Sequence, residues 1–186
     1  MNDLLKLLKG GDLRSDGAAE EVSEDIIQNT ELFDLLFEGL YEKDEVVRGR
    51  TAHALEKVSR AHPELFKGQI YELIKIARND DIPFVKWHLA MIFANIDLSV
   101  DERKDVISTL FYLLDDKSVF VKSWSISSLT IIALENPDEK EVIIFRLNKL
   151  ADNKSAAVQK RAIKALKTLN EDYPLPKGWS KIKRKI

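Results

Sequence analysis

The sequence predicts an all-α protein, a short α-solenoid of about five helix pairs, and three observations carry that prediction. Four valine-led dipeptides, Val47-Arg48, Val85-Lys86, Val121-Lys122 and Val158-Gln159, recur at intervals of 38, 36 and 37 residues. A fixed period of this length marks a repeated supersecondary unit. Apolar residues return at helical spacings around each valine, and strict alternation is nowhere sustained. Seven glycines and five prolines in 186 residues are too few for the many turns of an all-β domain.

The N-terminal stretch is weakly patterned. Leu4, Leu5, Leu7 and Leu8 suit a short helix that Gly10-Gly11 would end. Ser15 to Gln28 suits a second helix, with Val22, Ile26 and Ile27 inward and Asp16, Glu20, Glu21, Glu24 and Asp25 toward water. Residues 1–30 thus read as a degenerate capping repeat, whose polar outer face closes a stack. Residues 31–172 read as four full repeats and residues 173–186 as a basic tail, all within one domain.

Within each repeat, helix A is marked by residues 11, 14 and 15 before the valine. These are Leu36, Ile74, Leu110 and Leu147, then Phe33, Tyr71, Ile107 and Ile144, then Leu32, Ile70, Val106 and Ile143. Offsets of three and four share one helix face. Short polar connectors follow, which favour antiparallel neighbours. Helix B then opens on Asp44, Ser118 or Ser155, whose side-chain oxygens suit an N-cap, and on Asp81 with Pro83 in the second full repeat. Thr51, Leu89, Ser125 and Ala162 stand four after the valine. Ala52, Ala90, Ile126 and Ile163 stand five after it. Leu55, Phe93, Leu129 and Leu166 stand eight after, and Val58, Ile96, Ile132 and Leu169 eleven after. Together with the valines they form one apolar stripe.

Composition narrows the function classes. Apolar residues at 45% and charged residues at 32% suit a folded, soluble chain. With no cysteine, disulfides and thiolate metal sites are excluded. The expected setting is a reducing cytoplasm, with no signal peptide and no membrane partner. The net charge of −2 hides a gradient: residues 1–47 hold four Lys/Arg against 13 Asp/Glu, and residues 140–186 hold 13 against four. One end is acidic and the other basic, a pattern that suggests salt-dependent head-to-tail self-association.

The run Asp44-Glu45-Val46-Val47-Arg48 followed by Ala52, Ala54 and Leu55 resembles the second-helix signature of HEAT repeats. It recurs at Phe84-Val85-Lys86 with Ala90, at Phe120-Val121-Lys122 with Leu129, and at Ala157-Val158-Gln159 with Ala165 and Leu166. The period is shorter than the usual span of HEAT and armadillo units and is similar to that of compact bacterial and archaeal HEAT-like proteins. The resemblance implies a right-handed α-α superhelix whose B helices line a concave, partner-binding side. Gln159 departs from the basic residue of the signature and breaks any continuous Asp/Arg ladder there.

No chemical motif stands out. His53, His62 and His88 form no i, i+4 pair, and no His-Glu dipeptide occurs, so the metal sites of HEAT-like hydroxylases have no counterpart. The acidic N-terminus lacks the spacing of a calcium loop, and Gly10-Gly11 is no phosphate loop. No enzyme, cofactor or metal is expected. HEAT-like alkylpurine DNA glycosylases use concave tryptophans with a catalytic aspartate, but here Trp87 and Trp124 have no Asp one turn away.

Two places break the repeat pattern. Offsets 2, 3, 6 and 10 of helix B are expected to face outward, yet in the middle repeats they hold Trp87, Met91, Trp124 and Ile131, near Arg50, His88 and Arg161. Aromatic and arginine side chains at an exposed face suit a protein or peptide partner. The competing reading tucks both indoles between B helices as core. The second place is basic: Lys160, Arg161, Lys164 and Lys167, then Lys181, Lys183, Arg184 and Lys185 with Trp179, which suits nucleic-acid phosphates. The leading expectation is a non-catalytic HEAT-repeat scaffold or adaptor; nucleic-acid binding is the alternative.

Overall fold

In a computed structural model of the chain, residues 2–171 and 173–180 are described. They form ten α-helices and no strand: α1 (Asp3–Leu7), α2 (Ala19–Gln28), α3 (Phe33–Phe37), α4 (Glu45–Ala61), α5 (Ile70–Asn79), α6 (Pro83–Phe93), α7 (Val100–Leu113), α8 (Val119–Glu135), α9 (Lys140–Asn148) and α10 (Ala156–Asn170). The helices pack as a solenoid-like array. The second helices α2, α4, α6, α8 and α10 lie each against the next, and α3, α5, α7 and α9 each pack on the helix that follows. No described helix is long and apolar enough to cross a membrane.

The valines anchor this arrangement. Val47, Val85, Val121 and Val158 are all 0% exposed, as are Thr51, Leu89, Ser125 and Ala162 four residues later. At that second position Thr51, Ser125 and Ala162 are small and let helix axes approach closely, while Leu89 is a full-sized core residue. The first helices are less regular. In α5 the buried residues are Ile70, Leu73, Ile76 and Ala77, so Tyr71 falls off the stripe and is exposed.

Helix starts follow local chemistry. Asp44 accepts from the Val46 amide at 2.9 Å, Ser118 from the Val121 amide at 3.4 Å, and Ser99 forms a capping box with Glu102. Each such cap stabilises its helix by about 1 kcal/mol. Two expected caps fail. Ser155 holds the cap position of α10 without a side-chain bond, and Ile82 rather than Asp81 precedes Pro83. The residue five before three of the valines instead fixes the turn that enters the helix: Asp80, Asp116 and Asn153 accept from the amides of Ile82, Ser118 and Ser155 at 2.7, 2.8 and 2.9 Å.

The same residues carry a charge ladder between helix pairs. Arg48 reaches Asp80 at 2.8 Å and Lys86 reaches Asp116 at 2.9 Å, with all four side chains largely buried. The next rung would join Lys122 to position 153, where asparagine replaces the acid. The ladder therefore ends one step before Gln159, because the missing partner is the acid and not the base.

At the N-terminus a loop folds over α4. The Arg50 guanidinium donates to the carbonyls of Leu8, Gly10 and Asp12 at 2.9, 2.7 and 3.2 Å, and its Nε donates to Ser15 at 3.3 Å. Gly17 (φ 54) makes room, since a Cβ there would lie 2.5 Å from the guanidinium carbon. At the other end, Trp179 turns back and is buried against the core.

Candidate functional site: an aromatic ridge on the second helices

Most of each inner second helix is covered, so the open strip is narrow. It contains the residue just before each valine. In α6 and α8 that residue is Phe84 and Phe120, each in the first turn of its helix. Phe120 is 59% exposed and its neighbour Val119 39%.

Behind these side chains the rings form a chain across three helices. His53 of α4 stacks on His88 of α6, with centroids 4.8 Å apart and planes at 16°. Phe84 lies 4.6 Å from His88 and 5.0 Å from Trp87. Trp87 in turn meets Phe120 of α8 at 4.6 Å. Tilted contacts of this kind add about 0.5–1.5 kcal/mol each beyond area burial. The ridge is therefore preorganised: Phe120 is presented on a support of packed rings.

His88 is fixed within it. Its Nδ1 donates to the Phe84 carbonyl at 2.7 Å, and its Nε2 accepts from the Trp87 indole at 3.2 Å. Burial pushes its pKa down to about 3, against a smaller opposing effect of the Phe84 carbonyl, so the ring is neutral at physiological pH. Burial also lowers the pKa of His53, opposed by Asp16. The Asp16 carboxylate lies 3.2 Å from His53 Nδ1 without hydrogen-bond geometry.

A second cluster continues toward the C-terminus. The Arg161 guanidinium lies 4.8 Å from the Trp124 ring centre and 5.0 Å from that of Trp179. Its Nε donates to Ser127 at 2.9 Å. Burial lowers its pKa to about 10, which leaves it cationic at neutral pH. The cation is thus held between two indoles.

The outward face expected from the sequence is corrected by this packing. Arg50, His88, Met91 and Ile131 are buried, while Trp87 and Trp124 are partly buried against the core. The reason lies in the second-helix layer, where each inner helix has neighbours on both sides. Offsets 3 and 10 turn back to the preceding helix: His88 meets His53, Arg161 meets Ser127, and Asn95 donates to Glu56 and Ser59 at 3.2 and 2.9 Å. Offset 2 turns forward: Trp87 meets Phe120 of the next helix at 4.6 Å, and a Cβ on Gly49 would lie 3.2 Å from Phe84 as well as 2.5 Å from Leu13 of the N-terminal loop. Arg50 is taken up by the N-terminal loop. Of the expected residues, Trp87 joins His88, and Trp124 joins Arg161.

Phe84, Val119 and Phe120 are the residues the sequence reading missed as a site. The signal for Phe84 and Phe120 was an apolar residue directly before the valine, a position with no place in the stripe, and Val119 stands one residue before Phe120. Among the basic residues, Lys160, Lys164 and Lys167 are exposed, whereas Arg161 is withdrawn. Lys181, Lys183, Arg184 and Lys185 lie outside the described residues. Among the described residues no three His, Asp or Glu side chains gather to hold a metal.

A polar notch of about 400 Å³ lies at the C-terminal ends of α6 and α8, lined by Asn95, Asp97, Arg103 and Asn136 among others. It exists because α6 has 11 residues where α4 and α8 have 17. It is separate from the ridge, and Arg103 faces Glu139 at 3.7 Å.

No protein-family model matches the chain, and no characterised protein matches it in sequence. Solved structures do match. An engineered protein has a TM-score of 0.61 at 22% identity, over 91% of this chain and 80% of that one. A chain from the complex of CpcE and CpcF of phycocyanin lyase from Nostoc sp. PCC7120 has a TM-score of 0.69 at 20% identity, over 87% of this chain and 95% of that one. The likeness is one of fold. It overturns the expectation that the chain is no enzyme, because the fold occurs within a lyase. That expectation rested on motifs local in sequence, whereas side chains from separate helix pairs meet here, as His53 and His88 do.

Proposed function

We propose that this chain is a HEAT-like repeat scaffold that binds a protein segment across the ridge of Phe84, Trp87, Val119 and Phe120. Residues 1–30 act as the cap, residues 31–172 as four repeats and residues 173–186 as a basic tail, in a cytoplasmic protein. The second helices pack on one another along the whole array, while α5 and α7 are the first helices in closest mutual contact. A more closely spaced layer is the inner side of a curve, which supports reading the ridge as part of a concave face.

The observation that carries this reading is Phe120, 59% exposed yet held 4.6 Å from Trp87 on a packed aromatic support. A rigid, partly buried aromatic anchor loses little conformational entropy on binding and is a typical hot spot. The neighbour of this fold found in a complex of two chains supports a role in protein association.

Affinity capture from native extract tests it with Phe120→Asp against Tyr112→Asp. Both residues are exposed, so both variants should keep the wild-type helical spectrum. The expected result is loss of captured protein for Phe120→Asp alone. Equal capture by both variants would overturn the proposal.

A further inference from the structure

Helix α10 ends the second-helix layer with one stacking face that no described helix covers. Contacts inside the array define that face. Gly49 approaches Phe84, His53 stacks on His88, and Glu56 accepts from Asn95 of the next pair. These residues stand two, six and nine positions after Val47. Position five lies among them and is fully buried as Ala52, Ala90 and Ile126. In α10 the same register gives Lys160, Ile163, Lys164 and Lys167, all exposed, with Ile163 at 40%.

The opposite end is its electrostatic counterpart. Helix α2 buries Ala19, Val22, Ser23 and Ile26 and shows Glu21, Glu24, Asp25 and Gln28 to solvent. Within their bounds α2 carries four acids and no base, and α10 four bases and no acid. Among the described residues no ion pair involves Glu21, Glu24, Asp25, Lys160, Lys164 or Lys167.

We propose that a second copy of this chain docks its α2 edge onto the α10 edge of the first, continuing the second-helix layer from molecule to molecule. The two ends of one layer are complementary in charge, and an isoleucine is left bare at α10 where every inner pair buries its residue. Phosphates would suit the lysines, but they give no role to Ile163 or to the acidic edge. The two surfaces differ, so the contact is heterologous and extends as an open chain. Exposed ion pairs contribute about 0–1 kcal/mol each, so association is weak and salt-sensitive.

Sedimentation velocity of the full chain tests this at ionic strengths of about 0.01 M and about 1 M, between which the Debye length falls from about 30 Å to about 3 Å. The expected result is a concentration-dependent rise in sedimentation coefficient at low salt that disappears at high salt. The triple variant Lys160→Glu/Lys164→Glu/Lys167→Glu should stay monomeric, as should Glu21→Lys/Glu24→Lys/Asp25→Lys. An equimolar mixture of the two should associate again, because each supplies the charge the other lost. A constant monomer at low salt would overturn the proposal, as would association that persists in both variants. Failure of the mixture to associate would do the same. So would a lysine face that captures a duplex oligonucleotide while the wild-type chain stays monomeric.

Discussion

Acidification should unfold this protein earlier than its carboxylates alone require, and His88 is the reason. Its imidazole is buried, with Nδ1 bonded to the Phe84 carbonyl and Nε2 to the Trp87 indole. The folded pKa is about 3, against about 6.5 in an unfolded chain. Between those values the unfolded state binds a proton that the folded state refuses, so stability falls as pH drops below about 6.5. The slope approaches about 1.4 kcal/mol per pH unit, giving a loss of about 2 kcal/mol at pH 5 and about 3 kcal/mol at pH 4. The loss levels off below about pH 3. Protonation would also set His88 against His53, Arg60 and Lys57, all of which already disfavour its charged form. The assay is urea unfolding of wild type and His88→Gln at about pH 7.5 and about pH 5. Glutamine offers a donor and an acceptor but does not titrate. Wild type should lose about 2 kcal/mol more than His88→Gln over that interval. Equal losses would refute the argument, since the remaining titratable groups are common to both proteins.

Three further outcomes follow from the packing. Arg50→Ala should cost about 3 kcal/mol in urea unfolding, because charged hydrogen bonds to several loop carbonyls are lost, and amide exchange should accelerate selectively in residues 9–17. Arg161→Ala should cost about 1–2 kcal/mol through loss of the cation between Trp124 and Trp179, with a red shift in tryptophan fluorescence as Trp179 gains water. Asn153→Asp should extend the ladder to Lys122 and add about 0.5–1 kcal/mol. That gain should be smaller at high salt and absent in a Lys122→Met background.

The helical fold was legible because burial of the valine stripe is a property of periodicity, and periodicity survives in sequence. The candidate site was legible only in part. Register alone places Met91 and Ile131 off the stripe, yet both are buried, since the sides of an inner second helix are occupied by the second helices on either side. A reading that assigns one buried face per helix misses this second burial. Arg50 was unreadable for another reason: its partners are backbone carbonyls of a loop some 35 to 42 residues earlier, and carbonyls leave no trace in residue type. Phe84 and Phe120 were within reach, because an apolar side chain just before the valine has no core role in this repeat. The end of the charge ladder was likewise readable, but at Asn153, five residues before the valine, and not at Gln159 after it.

The central claim is that Phe120 meets a protein partner, and site-specific photo-crosslinking tests it most directly. A photoreactive phenylalanine analogue at position 120 is compared with the same analogue at the exposed position 112 on α7. A discrete protein adduct should form from position 120, be absent from position 112, and be lost when Phe84→Ala weakens the ridge. No adduct at position 120, or the same adducts from both positions, would contradict the account.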